Sequence, residues 1–180
     1  PWWKGKDKIF LRDPTQQGGA GNWLLVFHDK YGEDFIKAIA EQEPTVMVIG
    51  GSEAKALVAR GEYAALMMAS FSEGVFVTEG TPLKPCIMSD GMIGSFQAAS
   101  VVLNAPHPNA SLVFANFLLS KEAQTALSSV NEGPARGDVP MPHPEFQDLS
   151  NINAPILEVT EELFDNAPEI WKNAKPWFGM

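Results

Sequence analysis

The chain holds one cysteine, Cys86, in 180 residues. A lone cysteine excludes an internal disulfide and a cysteine-built metal site, and Cys86 is expected as a buried, inert thiol. The three histidines, His28, His107 and His143, are far apart and have no partner at i+4, so no metal site is expected from them. Basic residues are few. The 13 Lys and Arg face 22 Asp and Glu, which gives a net charge of −9, and no basic cluster occurs. Phosphate contacts need clustered Lys and Arg, so nucleic acid or an anionic membrane surface is excluded as a partner of a basic face. No apolar run nears the roughly 18 residues of a membrane span. No secretory leader is recognisable, and Pro1-Trp2-Trp3-Lys4-Gly5-Lys6 reads as the interior of a longer chain. Tyrosine is scarce as well, with only Tyr31 and Tyr63.

What remains is 45% hydrophobic and 19% charged, the composition of an ordinary soluble protein with a sizeable core. Short apolar runs alternate with helical patterns. Ile9–Leu11 predicts a strand. Asn22–Lys30 predicts a helix that Gly32 interrupts, and Glu33–Gln42 continues with Phe35, Ile36, Ile39 and Ala40 on one face. Thr45–Ile49 predicts a strand, Ser52 the cap of a helix Glu53–Arg60, and Gly61 its end. Tyr63–Ala69 predicts a buried strand and Ser70–Gly74 the start of a short helix. Leu83–Met88 predicts an edge strand, Ser89-Asp90-Gly91 a turn, and Ser95–Leu103 a strand. Ala110–Leu119 predicts a helix, Ser120 caps another through Leu127, and 131–144 predicts a loop. Ile156–Trp171 predicts a final helix, with Pro168 near its end. Alternating strands and helices predict an α/β fold with a largely parallel sheet.

The stretch DPTQQGGAGNW, residues 13–23, lies where the first strand hands over to the first helix. In open α/β sheets small ligands sit outside the carboxyl ends of strands. A helix beginning there offers free N–H groups and a positive dipole end, which stabilise a carboxylate or phosphate. Gly18 and Gly19 let a ligand approach the backbone, Thr15 adds a hydroxyl, Gln16 and Gln17 add amides, and Ala20 is small. The same residues also fit a plain capped turn. The pattern is neither GxGxxG nor a P-loop, so nucleotide binding is not indicated. A second candidate is Met67–Ser72, where Ser70 can hydrogen-bond a ligand and Phe71 can stack on it, or close the core instead. A third is Asp90, which can meet an amine or hydroxyl or simply form an Asx-turn.

Four stretches carry a family resemblance. KGKDKIFLRDPTQQGGAG (4–21), LVARGEYAALMMAS (57–70), APHPNASLVFANFLLSKEAQ (105–124) and GPARGDVP (133–140) resemble, in order and spacing, segments of the extracellular solute-binding proteins of ABC importers. The similar branch includes ferric-ion, thiamine, phosphonate and sugar-phosphate binders. The resemblance implies a periplasmic binding protein-like type II fold, with a solute held between two lobes. Residues 1–98 would form the second, ligand-binding lobe. Residues 99–180 would return to a first lobe whose N-terminal part is absent, so the chain is expected to be a fragment with exposed apolar surface and a tendency to self-associate. The implied partners are a small solute and the permease subunits in the membrane. The implied location is periplasmic or extracellular, lipid-anchored in some relatives. Neither catalysis nor a cofactor is implied. Ferric binders of this branch carry adjacent tyrosines where this chain has Ser70-Phe71-Ser72, so a polar or anionic organic solute is expected in place of bare iron. Arg136, in the Gly-Pro-Ala-Arg-Gly loop, is a candidate second contact to an anion, or a solvated surface arginine.

Two other classes compete. A ligand-sensing domain of a regulator shares this architecture, and would need a DNA-binding segment that 1–180 does not show. A hydrolase-type enzyme would use Ser70 or Ser52 as nucleophile and His107 as base, yet the chain has no Gly-x-Ser-x-Gly elbow.

Overall fold

The computed structural model describes residues 8–67, 81–83, 86, 88–94, 98–130, 132–140 and 154–180. They cluster into two compact units, one made of 8–67, 81–94 and 154–180 and the other of 98–140.

In the first unit, β1 (Ile9–Arg12) is the middle strand of a parallel sheet ordered β2-β1-β3. β2 (Thr45–Met47) pairs with it in the register Leu11↔Val46, and β3 (Ala65–Met67) in the register Leu11↔Met67. A central parallel strand is covered on both faces, and Phe10 and Leu11 are accordingly both fully buried. The chain moves one way across the sheet from β1 to β2 and the other way from β2 to β3. Right-handed crossovers then carry the intervening helices to opposite faces. The first crossover is α1 (Gly19–Tyr31) and α2 (Glu33–Ala40), which pack on each other; the second is α3 (Gly51–Ala59), which packs over β1 and β3.

α1 buries every residue from Trp23 to Phe27, so it is a core helix and not a surface one. Its core cluster is Trp23, Leu24, Phe27, Ile36 and Ala174, with Trp171 and Trp177 packed against it. Gly32, at φ 82°, ends α1 and begins α2, a conformation that favours glycine. β4 (Met92–Ile93) pairs in parallel with β5 (Ile156–Leu157). The chain then continues as α6 (Glu161–Asp165), α7 (Ala167–Ala174) and a 3-10 turn Lys175–Phe178.

The second unit holds α4 (Pro108–Leu118) and α5 (Lys121–Ser129). Ser120 caps α5 by accepting from the Ala123 N–H at 3.2 Å, as its sequence position predicts.

The mixed α/β character and the parallel pairing match expectation; several elements do not. α1 starts at Gly19, three residues before the expected Asn22, because the glycines join its first turn. α3 starts at Gly51 with Gly50 as its cap, so Ser52 lies inside the helix. Residues 98–103 are not a strand. Val102 and Leu103 are exposed, and the Ala105 N–H donates to the Val102 carbonyl in a turn, with Asn104 left-handed at φ 61°. Leu83, Cys86 and Met88 are outside any strand, and Cys86 is exposed rather than buried. The tail is not one helix: Ile156–Leu157 extend to pair with β4, and Pro168 sits in the first turn of α7, where its missing N–H costs nothing. The proposed short helix 70–74 lies outside the described residues.

Candidate functional site

The turn between β1 and α1 is organised by Asp13. Its Oδ1 accepts from the Thr15 N–H at 2.8 Å and the Thr15 hydroxyl at 2.7 Å; its Oδ2 accepts from Gln16 Nε2 at 2.7 Å. Its own N–H donates to the Met47 carbonyl at 3.1 Å, so β2 holds the turn in place. Asp13, Pro14 and Thr15 are buried, whereas Gln16, Gln17, Gly18 and Gly19 are exposed. This is an Asx-turn with a structural lower half and an open upper half.

The structure therefore divides the residues that the sequence groups here. Thr15 gives its hydroxyl to Asp13, not to solvent. Gln16 gives one N–H of its exposed side-chain amide to Asp13. Gln17 is exposed with its whole amide. Gly18 takes φ 124° and ψ −168°, a region that only glycine enters readily, and it turns the chain into α1. Among the described residues no side chain caps α1. Among the described residues no acceptor meets the N–H groups of Gly19 and Ala20. A side chain at Gly18 or Gly19 would project into open space. Ala20 is buried, so it can offer only its backbone.

Gly21 has a different reason to be glycine. A Cβ there would lie 2.0 Å from the Gln16 carbonyl oxygen and 3.0 Å from the Trp171 ring. The Trp171 Nε1–H also points at the Gly21 carbonyl, at 3.4 Å. α7 thus braces the first turn of α1 from behind. Sequence reading missed this brace, since 150 residues separate the partners and no local pattern joins them.

The other candidates are not gathered at this turn. Asp90 lies at the opposite end of α1, where its Oδ2 accepts from the Tyr31 hydroxyl at 3.0 Å and its carbonyl from Lys30 Nζ. The 13 residues of α1 span roughly 20 Å at 1.5 Å per residue, so Asp90 and Gln16 cannot hold one small solute together. Arg136 belongs to the second unit. Its guanidinium is engaged by Asp138 at 2.8 Å and by the Leu119 carbonyl at 3.2 Å, and the Asp138 hydrogen bond raises its pKa. Ser70 and Phe71 lie outside the described residues.

Two clefts in the first unit lie elsewhere. One, of about 260 Å³, is lined by residues that include His28, Glu33, Glu169 and Trp177. The other, of about 350 Å³, is lined by residues that include Asp29, Lys30, Glu158 and Thr160. Neither includes a residue of the 13–20 turn. Among the described residues no three His, Cys, Asp or Glu side chains gather as a metal site, and no helix is long and apolar enough to cross a membrane.

No family model matches the chain, and neither the curated proteins nor the solved structures contain a significant match to it.

Proposed function

We propose that this chain captures a small polar or anionic organic solute for an ABC-type importer, and that the solute is held at the open half of the 16–20 turn. The observation that carries the reading is an uncapped helix start at the carboxyl end of the central strand of a parallel sheet. The sheet order β2-β1-β3 puts its switch point between β1 and β3, and the crevice outside a switch point is where open α/β sheets take ligands. The free N–H groups of Gly19 and Ala20 favour an oxygen acceptor there, a carboxylate or phosphate above all. Gln17 and the carbonyl of Gln16 would hydrogen-bond the solute's hydroxyl or amine groups. In this reading the fold is of the periplasmic binding type II kind, and the protein works outside the cytoplasmic membrane. Release to permease subunits, not chemistry, would complete the cycle.

A thermal-shift screen of small carboxylates, phosphates, amines and sugars identifies the solute, and titration calorimetry then tests the place. Gly19→Val puts a branched side chain over the free N–H groups. It is expected to weaken binding at least about tenfold, the loss of roughly 1.4 kcal/mol from one or two hydrogen bonds. Thermal stability should be unchanged, because the new Cβ meets no atom. Unchanged affinity in the variant would remove this turn as the site. A strong visible charge-transfer band on adding ferric ion would instead overturn the solute class.

A further inference from the structure

The smaller cleft of the first unit, of about 260 Å³, is chemically one-sided. His28 of α1, Glu33 of α2, Glu169 and Asn173 of α7, and Trp177 of the 3-10 turn all line it, and among the described residues no Lys or Arg does. Glu169 and Asn173 are exposed, and neither side chain has a partner among the described residues. Glu33 is already paired. Lys37, one turn along α2, forms an ion pair with it at 2.5 Å. The same Lys37 Nζ stands 5.1 Å from the centroid of the Trp177 ring. The hydrogen bond with Glu33 raises the Lys37 pKa, so the group stays an ammonium. Two residues that line the cleft, a carboxylate and an indole, thus already hold the chain's own alkylammonium.

We infer that this cleft binds a small alkylammonium ion, with Glu169 and Asn173 taking its N–H groups and Trp177 its charge. The lining charge excludes an anion, which would meet Glu33 and Glu169 with no lining cation to offset them, on a chain that carries −9 overall. A cation within about 6 Å of an aromatic ring is attracted by the ring's quadrupole, and indole is the strongest of the three aromatic side chains; the place of Lys37 shows that Trp177 serves in this way. A bare divalent ion needs several oxygen ligands at about 2–2.6 Å, and no three His, Cys, Asp or Glu side chains gather so among the described residues. An organic cation, by contrast, is satisfied by separated contacts to a carboxylate, an amide and a ring. The volume is at the lower end of ligand sites and suits a guest of few heavy atoms. The same chemistry is offered by a free amine and by the lysine side chain of another protein. His28 lies roughly 14 Å along α1 from Gly19 at 1.5 Å per residue, so this site is separate from the 16–20 turn and does not depend on its solute reading.

Titration of the 180-residue chain with n-butylammonium at low salt tests the site, followed by nitrogen–proton NMR at the Trp177 indole N–H, which Trp177→Phe assigns. A saturable shift is expected, with a Kd on the order of 1–10 mM. n-Butanol and butyrate have the same carbon chain without the positive charge and are expected to bind at least about fivefold more weakly. No saturable shift with n-butylammonium, or equal affinity for butanol or glucose, would overturn the inference. Glu169→Gln removes one exposed charge at constant shape. It is expected to weaken n-butylammonium about three- to fivefold, the range of an exposed ion pair, with thermal stability unchanged. Lys37→Met removes the competing cation and frees Glu33, so binding should tighten. Unchanged affinity in either variant would equally overturn the site. N-acetyl-lysine N-methylamide separates the two sources. Binding as tight as that of n-butylammonium assigns a partner's lysine, and much weaker binding assigns a free amine; either result upholds the ammonium site.

Discussion

The two units hold themselves together by opposite means. The first buries its large apolar side chains: Phe10, Leu11, Leu24, Leu25 and Ile36 are fully enclosed. Each contributes on the order of 1.5–3 kcal/mol through removal from water. Among its described residues, the second unit buries Ala123, Gln124, Ser128 and Val139, and leaves Leu112, Val113 and Phe114 outside. Its joints are side chain to backbone. Gln124 Nε2 donates to the Leu118 carbonyl at 2.7 Å, while its Oε1 accepts from the Ala135 N–H at 2.5 Å. The Ser128 hydroxyl donates to the Pro140 carbonyl at 2.6 Å, and Arg136 reaches the Leu119 carbonyl. Loop 132–140 is thereby stitched to α4 and α5. Such bonds are each worth about 1 kcal/mol net. A hydrophobic core fixes a unit by itself, whereas stitches of this kind fix a loop and leave the apolar surface for another purpose.

The largest effect that sharpens the contrast is Gly21→Ala. Its methyl group would meet the Gln16 backbone and the Trp171 ring, neither of which can yield without moving the turn or α7. A loss of about 3 kcal/mol is expected for the first unit, measured by urea denaturation followed through tryptophan fluorescence. A neutral result would mean that the turn is loosely held. Next in size is Gln124→Ala, expected to cost the second unit about 2 kcal/mol by stranding one carbonyl and one N–H. Hydrogen exchange at the Ala135 amide reads it locally, and protection like that of the parent chain would break the distinction between the units. The smallest effect concerns Asp138. Its carboxyl is held below the usual carboxylate range chiefly by the hydrogen bond from Arg136, helped by the positive charges of Arg136 and Lys121. A carboxylate with a lowered folded-state pKa adds stability above its unfolded value, and loses it as pH falls through the folded one. A carbon-detected titration should therefore place Asp138 below a peptide aspartate, and Arg136→Gln should return it. Because both side chains are exposed, the shift should shrink in high salt.

Local signals were legible in the sequence and distant pairings were not. β-branched runs and the Ser120 cap placed β2 and α5 correctly, because the causes act within a few residues. The turn 13–20 was recognisable from Asp13, its glutamines and its glycines. Its division into a buried and an open half was not, since only the folded chain shows that Asp13 engages the Thr15 hydroxyl. Val101-Val102-Leu103 reads as a strand by composition, but strand formation needs a partner edge, and none of the described strands pairs with it. Ile156–Leu157 reads as helix start by composition and becomes a strand because β4 supplies such an edge. Asp90 reads by residue type as a ligand contact or an Asx-turn, and its bond from the distant Tyr31 hydroxyl carries no local signal.

The parallel pairing of β4 with β5 has an architectural consequence. Polypeptide that leaves after Gly94 is back by Ala154, and the two crossing points flank opposite ends of one two-rung ladder. Met92 donates to the Pro155 carbonyl at 2.9 Å, and Gly94 to the Leu157 carbonyl at 2.9 Å. Strands so paired run roughly 5 Å apart and rise about 3.3 Å per residue, and Gly94 stands four residues further along the ladder than Ala154, so exit and re-entry lie roughly 14 Å apart, a gap that about five extended residues span. The 59 positions between them form an excursion tethered at its neck. Such a neck is a natural seam for excision, or for grafting a different module in place of the excursion.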